Sequence, residues 1–215
     1  MRIGPSHSEP QRGFTKIELS VVLLVLGLII AAVLTTQEIV QNRHITKALA
    51  AIQDYQTQFQ IYQQKNGALP GDDRMAANRF KGFNLTNGNG NGVIDGPFDA
   101  AQPSDESQML WADLRAAGLV KSQETASAQP RNPFHGIYGF QNGAFKGAIT
   151  TTVLCLSNVP GTAAQLIDTR LDDGTSNSGA VQAMVSNGTV GEAINGAVST
   201  SGYSSAQTYI LCIRM

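Results

Sequence analysis

The chain has 215 residues, a formal net charge of −1 and only 14% charged residues, a balance that offers neither a basic nucleic-acid-binding patch nor an acidic solvating tail. The length accommodates an N-terminal helix and one further core. Twenty-two glycines, with Ser, Thr and Asn frequent in the second half, suit a β-rich, loop-rich extracytoplasmic domain.

The N-terminal segment runs Gly13-Phe14-Thr15-Lys16-Ile17-Glu18 and continues into a largely apolar stretch, residues 19–34. A carboxylate at the edge of a membrane-inserting helix is expensive without a partner. Cutting after Gly13 would create one, the new ammonium of Phe14 four residues before Glu18. An ordinary secretory signal places its small-residue cleavage site after the apolar region. Here the candidate cut lies before it, with Arg2 and Arg12 on the cytoplasmic side, so the apolar stretch stays in the mature chain.

This segment resembles the cleavage and assembly signal of type IV prepilins and type II secretion pseudopilins. Gly13, Phe14, Thr15, Ile17, Glu18 and Leu19 match the signal, and Lys16 departs from it, since the family usually has an apolar residue there. The resemblance implies that residues 1–13 are a leader, removed by a prepilin peptidase that also methylates Phe14. It further implies bacterial inner-membrane insertion with a periplasmic head, then incorporation into a pilus or pseudopilus. The implied partners are the peptidase, membrane lipid before assembly, other pilin or pseudopilin subunits and the inner-membrane assembly platform.

No proline occurs from Phe14 to Lys65. Sixteen residues from position 19 rise about 24 Å as a helix, and with Phe14 and Ile17 the stretch is long enough to cross a bilayer core. We expect residues 14–35 to form a membrane-spanning, assembly half. From Ile45 the pattern changes: Ile45, Leu49, Ile52, Tyr55, Phe59 and Tyr62 recur every three or four residues, the stripe of an amphipathic half over 36–66 that lies on a globular core. Asn66-Gly67 ends the helix, with Pro70 beyond.

Residues 67–215 form the expected head. Asp72 and Asp73, after Pro70-Gly71, are suited to a helix start. In residues 87–95, Asn87, Asn89, Asn91 and Asp95 alternate with small residues, Gly92 allows a sharp turn, and Val93 offers a carbonyl. The spacing resembles the first nine positions of an EF-hand-type calcium loop. Phe98 stands where the bidentate Glu belongs, and three ligands are neutral, so Asp99 or a residue elsewhere would complete the shell. The same segment also reads as a turn-rich loop with no ion. Calcium stabilises the head of some pseudopilins, which makes it the one cofactor the resemblance offers.

Asp105 precedes a short helix with Leu110, Trp111 and Leu114 on one side and Gly118 near its end. Residues 136–141, 144–150 and 151–157 read as strands, the first two separated by Asn142-Gly143. Thr162 with Gln165 fits a capping box for a helix through Leu171. Asp168, Asp172 and Asp173 form a second acidic group, read as a helix-ending turn in preference to an ion site. Strands at 180–186 and 207–214 complete an antiparallel sheet, with a long loop at 187–205. Cys155 and Cys212 are the only cysteines, and in an extracytoplasmic head a disulfide between them is the default expectation. Many type IV pilins have a comparable C-terminal disulfide-bounded region.

The expected fold is therefore α+β and type IV pilin-like: a long N-terminal helix packed on a small antiparallel sheet. Segments around Leu69-Pro70-Gly71-Asp72-Asp73, Trp111, and Ile167 to Gly174 also resemble uncharacterised bacterial proteins that carry the prepilin signal. No catalytic arrangement emerges, because His7, His44 and His135 have no spaced nucleophile or metal partner. The leading expectation is a structural filament subunit. The alternatives are an adhesive or priming minor subunit at a filament tip, and a membrane-anchored periplasmic enzyme.

Overall fold

The computed structural model describes residues 13–121 and 128–215, with the side chains of 31–38 excluded. Apart from Gly13, the expected leader lies outside the described residues. Helix α1 spans Lys16–Asn66, 51 residues, and the chain divides into compact units between Asn42 and Arg43.

In the first unit, Thr15 caps the helix. Its Oγ1 accepts the Glu18 N–H at 3.2 Å, while the Glu18 carboxylate accepts the Thr15 N–H at 3.4 Å. This is a reciprocal capping box that satisfies two otherwise orphaned donors. Phe14, Ile17 and the apolar residues from Leu19 to Ile30 stand exposed. Among the described residues no helix is long and apolar enough to cross a membrane. The expected span covers residues 14–35, and its last part falls where side chains are not described.

In the second unit, the remainder of α1 buries the expected stripe. Ile45, Ala48, Ile52, Phe59 and Tyr62 are in the core, with Leu49 and Tyr55 packed at its margin. Asn66 ends the helix as anticipated, and the Gly67 N–H donates to the Gln63 carbonyl at 2.8 Å. The following helices are α2 (Ala76–Arg79) and α3 (Glu106–Ala116). Strands β1 (Tyr138–Ala144) and β2 (Ile149–Pro160) lead to α4 (Gly161–Leu171). Strand β3 (Val181–Val185), helix α5 (Glu192–Asn195) and strand β4 (Thr208–Arg214) close the chain.

The four strands form an antiparallel sheet in the order β1-β2-β4-β3. Alternation along β2 and β4 sends side chains to two separate cores. Leu154, Leu156, Leu211 and Ile213 face a core that includes the α1 stripe, Trp111 of α3 and Ile167 of α4. Val153, Cys155, Ile210 and Cys212 face a second core with Phe98, Phe145 and Ala193. Both sheet edges are covered. Along β1, the Tyr138 N–H donates to the Pro130 carbonyl; along β3, Ala183 exchanges bonds with Ser176 and Ser199. Covered edges do not template pairing with further chains.

Four expectations require correction. Asn142-Gly143 is not a turn between strands but a bulge inside β1, where Gly143 takes φ 72°, a left-handed value open to glycine. The turn comes later, at the 3₁₀ segment Phe145–Gly147, which takes up most of the expected strand at 144–150; only its last two residues join the expected 151–157 strand in β2. Phe145 is buried there at φ 55°, its ring held by the second core while the backbone turns. Helix α4 starts at Gly161, with Pro160 rather than Thr162 at its N-cap, because the chain enters directly from β2. The loop expected at 187–205 contains α5, whose Glu192 carboxylate accepts the Asn187 and Gly188 N–H groups.

Candidate functional site

The most elaborate polar constellation of the head is the Asn/Gly loop. Side-chain oxygens in short Asx turns order it: Asn89 Oδ1 accepts the Asn91 N–H at 2.9 Å, and Asn91 Oδ1 accepts the Val93 N–H at 3.0 Å. The amide nitrogens of Asn89 and Asn91 both donate to Asp95 Oδ2, at 2.7 and 2.9 Å. Asn89, Asn91 and Asp95 therefore converge on one point. Asn87 does not join them; its Oδ1 accepts the Ala77 N–H at the start of α2, at 2.9 Å. Val93 contributes its backbone N–H to the Asx turn, and Asp99 is occupied elsewhere, accepting the Gly191 N–H at 2.9 Å.

Two carboxylates from outside the loop hold its backbone. Asp72 accepts the Asn91 and Gly92 N–H groups at 2.9 and 2.8 Å. Glu106, in the first turn of α3, accepts the Asn89 and Asp95 N–H groups at 2.9 and 3.0 Å. Both side chains are buried. Burial raises the Glu106 carboxyl above its ordinary range, opposed by those N–H bonds and reinforced by the charges of Asp72 and Asp95. Close approach needs glycine at position 88, where a Cβ would meet the backbone of Gly71 and Asp72. Arg74 then covers the loop, its guanidinium donating to the Asn89 carbonyl at 2.7 Å and the Gly90 carbonyl at 3.2 Å.

These residues fit calcium in part. An ion at the convergence point would take the Asp95 carboxylate as its one charged ligand. It would also need the amides of Asn89 and Asn91 to present oxygen rather than N–H. Turning them gives up the two Asx bonds, each worth about 1 kcal/mol, together with both amide donations to the Asp95 carboxylate. Asp72 and Glu106 are committed to backbone N–H groups, and no bidentate acid completes the shell as Glu does in an EF-hand. The loop is already closed by bonds within the protein.

Asp72 and Asp73 share the helix-start reading in sequence, but in the structure the two diverge. Asp73 Oδ1 accepts the Met75 N–H at 2.8 Å just ahead of α2, while Oδ2 pairs with Arg79 at 3.1 Å and accepts the Tyr62 hydroxyl at 3.0 Å. Burial acts to raise its carboxyl, but Arg79, Met75 and Tyr62 outweigh it and hold the group below the usual range. Burial and the neighbouring carboxylates push the Tyr62 hydroxyl up.

The second acidic group is a turn, as expected. Asp168, Asp172 and Asp173 lie within 4.8 Å of one another at their oxygens. Each is occupied: Asp168 by the Tyr203 hydroxyl and the Gly174 N–H, Asp172 by the Ala180 and Val181 N–H groups, Asp173 by Thr175 and Ser178. Cys155 and Cys212 face each other across β2 and β4, with Cα atoms 4.1 Å apart, and form a disulfide. His44 packs edge-on to Phe134, and His135 is exposed.

Sequence reasoning missed the roles of Thr15, Asp72 and Glu106. Thr15-x-x-Glu18 is a readable capping signal ahead of an apolar run. No local signal marks Asp72 or Glu106, because their partners lie 19 and 20 residues from the first and 17 and 11 residues from the second. No model of a known protein family and no curated protein matches this chain.

Proposed function

We propose that the protein is a structural subunit, a pilin, minor pilin or pseudopilin, of a type IV filament system. The carrying observation is helix α1. It opens two residues after Phe14, runs 51 residues without proline, exposes apolar side chains in its first part and buries a stripe in its second. In this reading a prepilin peptidase cuts between Gly13 and Phe14. The apolar part then lies in the inner membrane until subunits and the assembly platform draw it into a filament. The disulfide between Cys155 and Cys212 supports a head outside the reducing cytoplasm.

The test is mass spectrometry of the mature N-terminus, combined with immunoblotting of sheared filament and membrane fractions. A chain beginning at methylated Phe14, and recovered with filaments, is the expected result. A chain beginning at Met1, or beyond residue 34, would overturn the reading.

A further inference from the structure

One end of the sheet opens into a cleft of about 570 Å³ that the filament reading leaves unused. That volume falls within the roughly 300–1,000 Å³ typical of small-molecule sites. Strand β2 bulges beside it at Ser157 and Asn158, where the pairing with β4 shifts register. Bulges re-aim side chains and are frequent next to functional sites. Asn158 takes φ 57° there, and His135, in the turn ahead of β1, takes φ 65°. Both are left-handed values, which Asn and His enter more readily than most side chains do. The loop after β3, residues 186–190, supplies a further wall. Solvent reaches the cleft: His135, Asn158, Asn187 and Thr208 are exposed, and Asp99 and Ser157 are half-buried.

Bonds within the protein fix what each lining side chain has left to offer. Asp99 Oδ1 accepts the Gly191 N–H at 2.9 Å, which leaves Oδ2 to accept. The Asn158 amide nitrogen donates to the Phe134 carbonyl at 2.7 Å, which leaves its Oδ1 to accept. Ser157 Oγ accepts the Ile137 N–H at 3.0 Å, so its own O–H is left to donate. Asn187 Oδ1 accepts the Thr189 N–H at 3.0 Å, so its amide nitrogen is left to donate. These bonds also hold the side chains in place, which lowers the ordering cost of binding. Fixed acceptors beside fixed donors match a run of hydroxyl groups, each of which donates once and accepts twice. Ile137 and Val190 offer apolar wall to the C–H faces of a ring. Anions are disfavoured, because Asp99 and Glu192 line the cleft and no Lys or Arg does. An ammonium would leave the Ser157 and Asn187 donors unpaired. A metal set is absent too: among the described residues only Asp168, Asp172 and Asp173 gather as one.

We propose that this cleft binds a neutral saccharide, with a pyranose ring seated among Asp99, Asn158, Asn187 and Thr208. The ring is either a free sugar or the end of a saccharide chain. Binding here does not depend on the proposed filament assembly.

The experiment is ligand-observed NMR titration of the full chain, held in a detergent without sugar headgroups. The probes are the methyl glycosides of glucose, galactose and mannose, their uronic acid counterparts, and n-butylamine. Saturable binding of at least one neutral glycoside is expected, with a Kd on the order of 1 mM for a ligand of this size. The uronic acid of the same sugar should bind about tenfold more weakly, because its carboxylate meets Asp99 and Glu192. Asp99→Asn keeps an acceptor for the Gly191 N–H, removes the charge and should weaken binding about tenfold. Thr208→Val, at an exposed position, deletes a hydroxyl and should weaken it about threefold to tenfold, so the test survives if Asp99→Asn folds poorly. A disaccharide that binds more tightly than its monosaccharide assigns the cleft to a chain end, and equal affinity assigns it to a single ring. No saturable binding of any neutral glycoside, wild-type affinity in both variants, or tighter binding of a uronic acid or n-butylamine than of every neutral glycoside would overturn the proposal.

Discussion

Glu18 has two chemical tasks at one position. In the described chain its carboxylate closes a capping box with Thr15. After the proposed cut, the ammonium of Phe14 would lie only four residues away and could pair with it, within one chain or between neighbouring subunits. Charge pairing is strong in a low-dielectric setting, while either charge buried alone costs several kcal/mol. Glutamine keeps the capping acceptor and discards the charge; alanine discards both. If charge sets subunit register, Glu18→Gln and Glu18→Ala should both be cleaved yet both be depleted from sheared filaments on immunoblots. Entry of the Gln variant at wild-type levels would reduce Glu18 to a helix cap.

Asp113 and Asp73 respond to pH in opposite senses. The Asp113 carboxyl is raised from 3.8 to about 7, so its protonated form is the better tolerated in the fold. Its contribution to stability is greatest below the unfolded value and is lost as pH rises through 7, by up to roughly 4 kcal/mol. Asp73 is lowered, so its contribution is present above 3.8 and declines as pH falls below that. Denaturant midpoints measured from pH 4 to pH 8 should fall for the wild-type chain. In Asp113→Asn they should flatten, with a higher midpoint at pH 8. An unchanged slope in the variant would show that Asp113 is not the group responsible.

At the scale of elements, α1 is joined to the head by aromatic contacts. Phe59 stacks on Phe140 at a centroid distance of 5.0 Å, and Tyr55 meets Trp111 edge-on at 5.2 Å. Removing a buried phenylalanine loses its transfer energy and leaves a cavity. Phe59→Ala should cost about 3–5 kcal/mol, read as a shift in the denaturant midpoint of the head signal. A cost below about 1 kcal/mol would mean that α1 is not structurally coupled to the sheet there.

The Asn/Gly loop gives the second test at this scale. With Asp95 as the single charged ligand and two Asx bonds to give up, calcium should bind no more tightly than about 10⁻³ M. At ~10 mM calcium the melting temperature should then rise by the equivalent of at most about 1.4 kcal/mol, and Asp95→Asn should abolish the rise. No shift in the wild-type chain would leave the loop as a structural knot alone.

For the whole molecule, the disulfide joins the last strand, β4, to its neighbour β2, and its cysteines lie 57 positions apart. In the chain-entropy model, closing a loop of that length stabilises by about 4 kcal/mol. Replacing both cysteines by alanine should lower stability by about 2–5 kcal/mol, measured by denaturant unfolding with the wild-type chain under oxidising conditions as reference. A wild-type midpoint in the double variant would show that the two cores hold the sheet unaided. The pair spans β4 to β2, so its loss should loosen the C-terminal strand before the α1 stripe.

What could be read along the chain was whatever depends on neighbours within one or two turns. The helix from Lys16 to Asn66 follows from the absence of proline, its buried stripe from three- and four-residue spacing, and its end from Asn66-Gly67. The cysteine pairing followed from there being only two, although their direct opposition on β2 and β4 did not. Tertiary contacts decided the rest. The Asn142-Gly143 pair is a turn by local chemistry, yet it became a bulge because β1 pairs on to Ala144 and the buried ring of Phe145 places the reversal later. Asp72 and Glu106 look like ordinary helix-start acids, and only folding brings backbone N–H groups from 11 to 20 residues away onto their carboxylates. The burial of Asp113 was invisible for the same reason: a carboxyl reveals that it is buried only when chain segments distant in sequence, here Gly71, close around it.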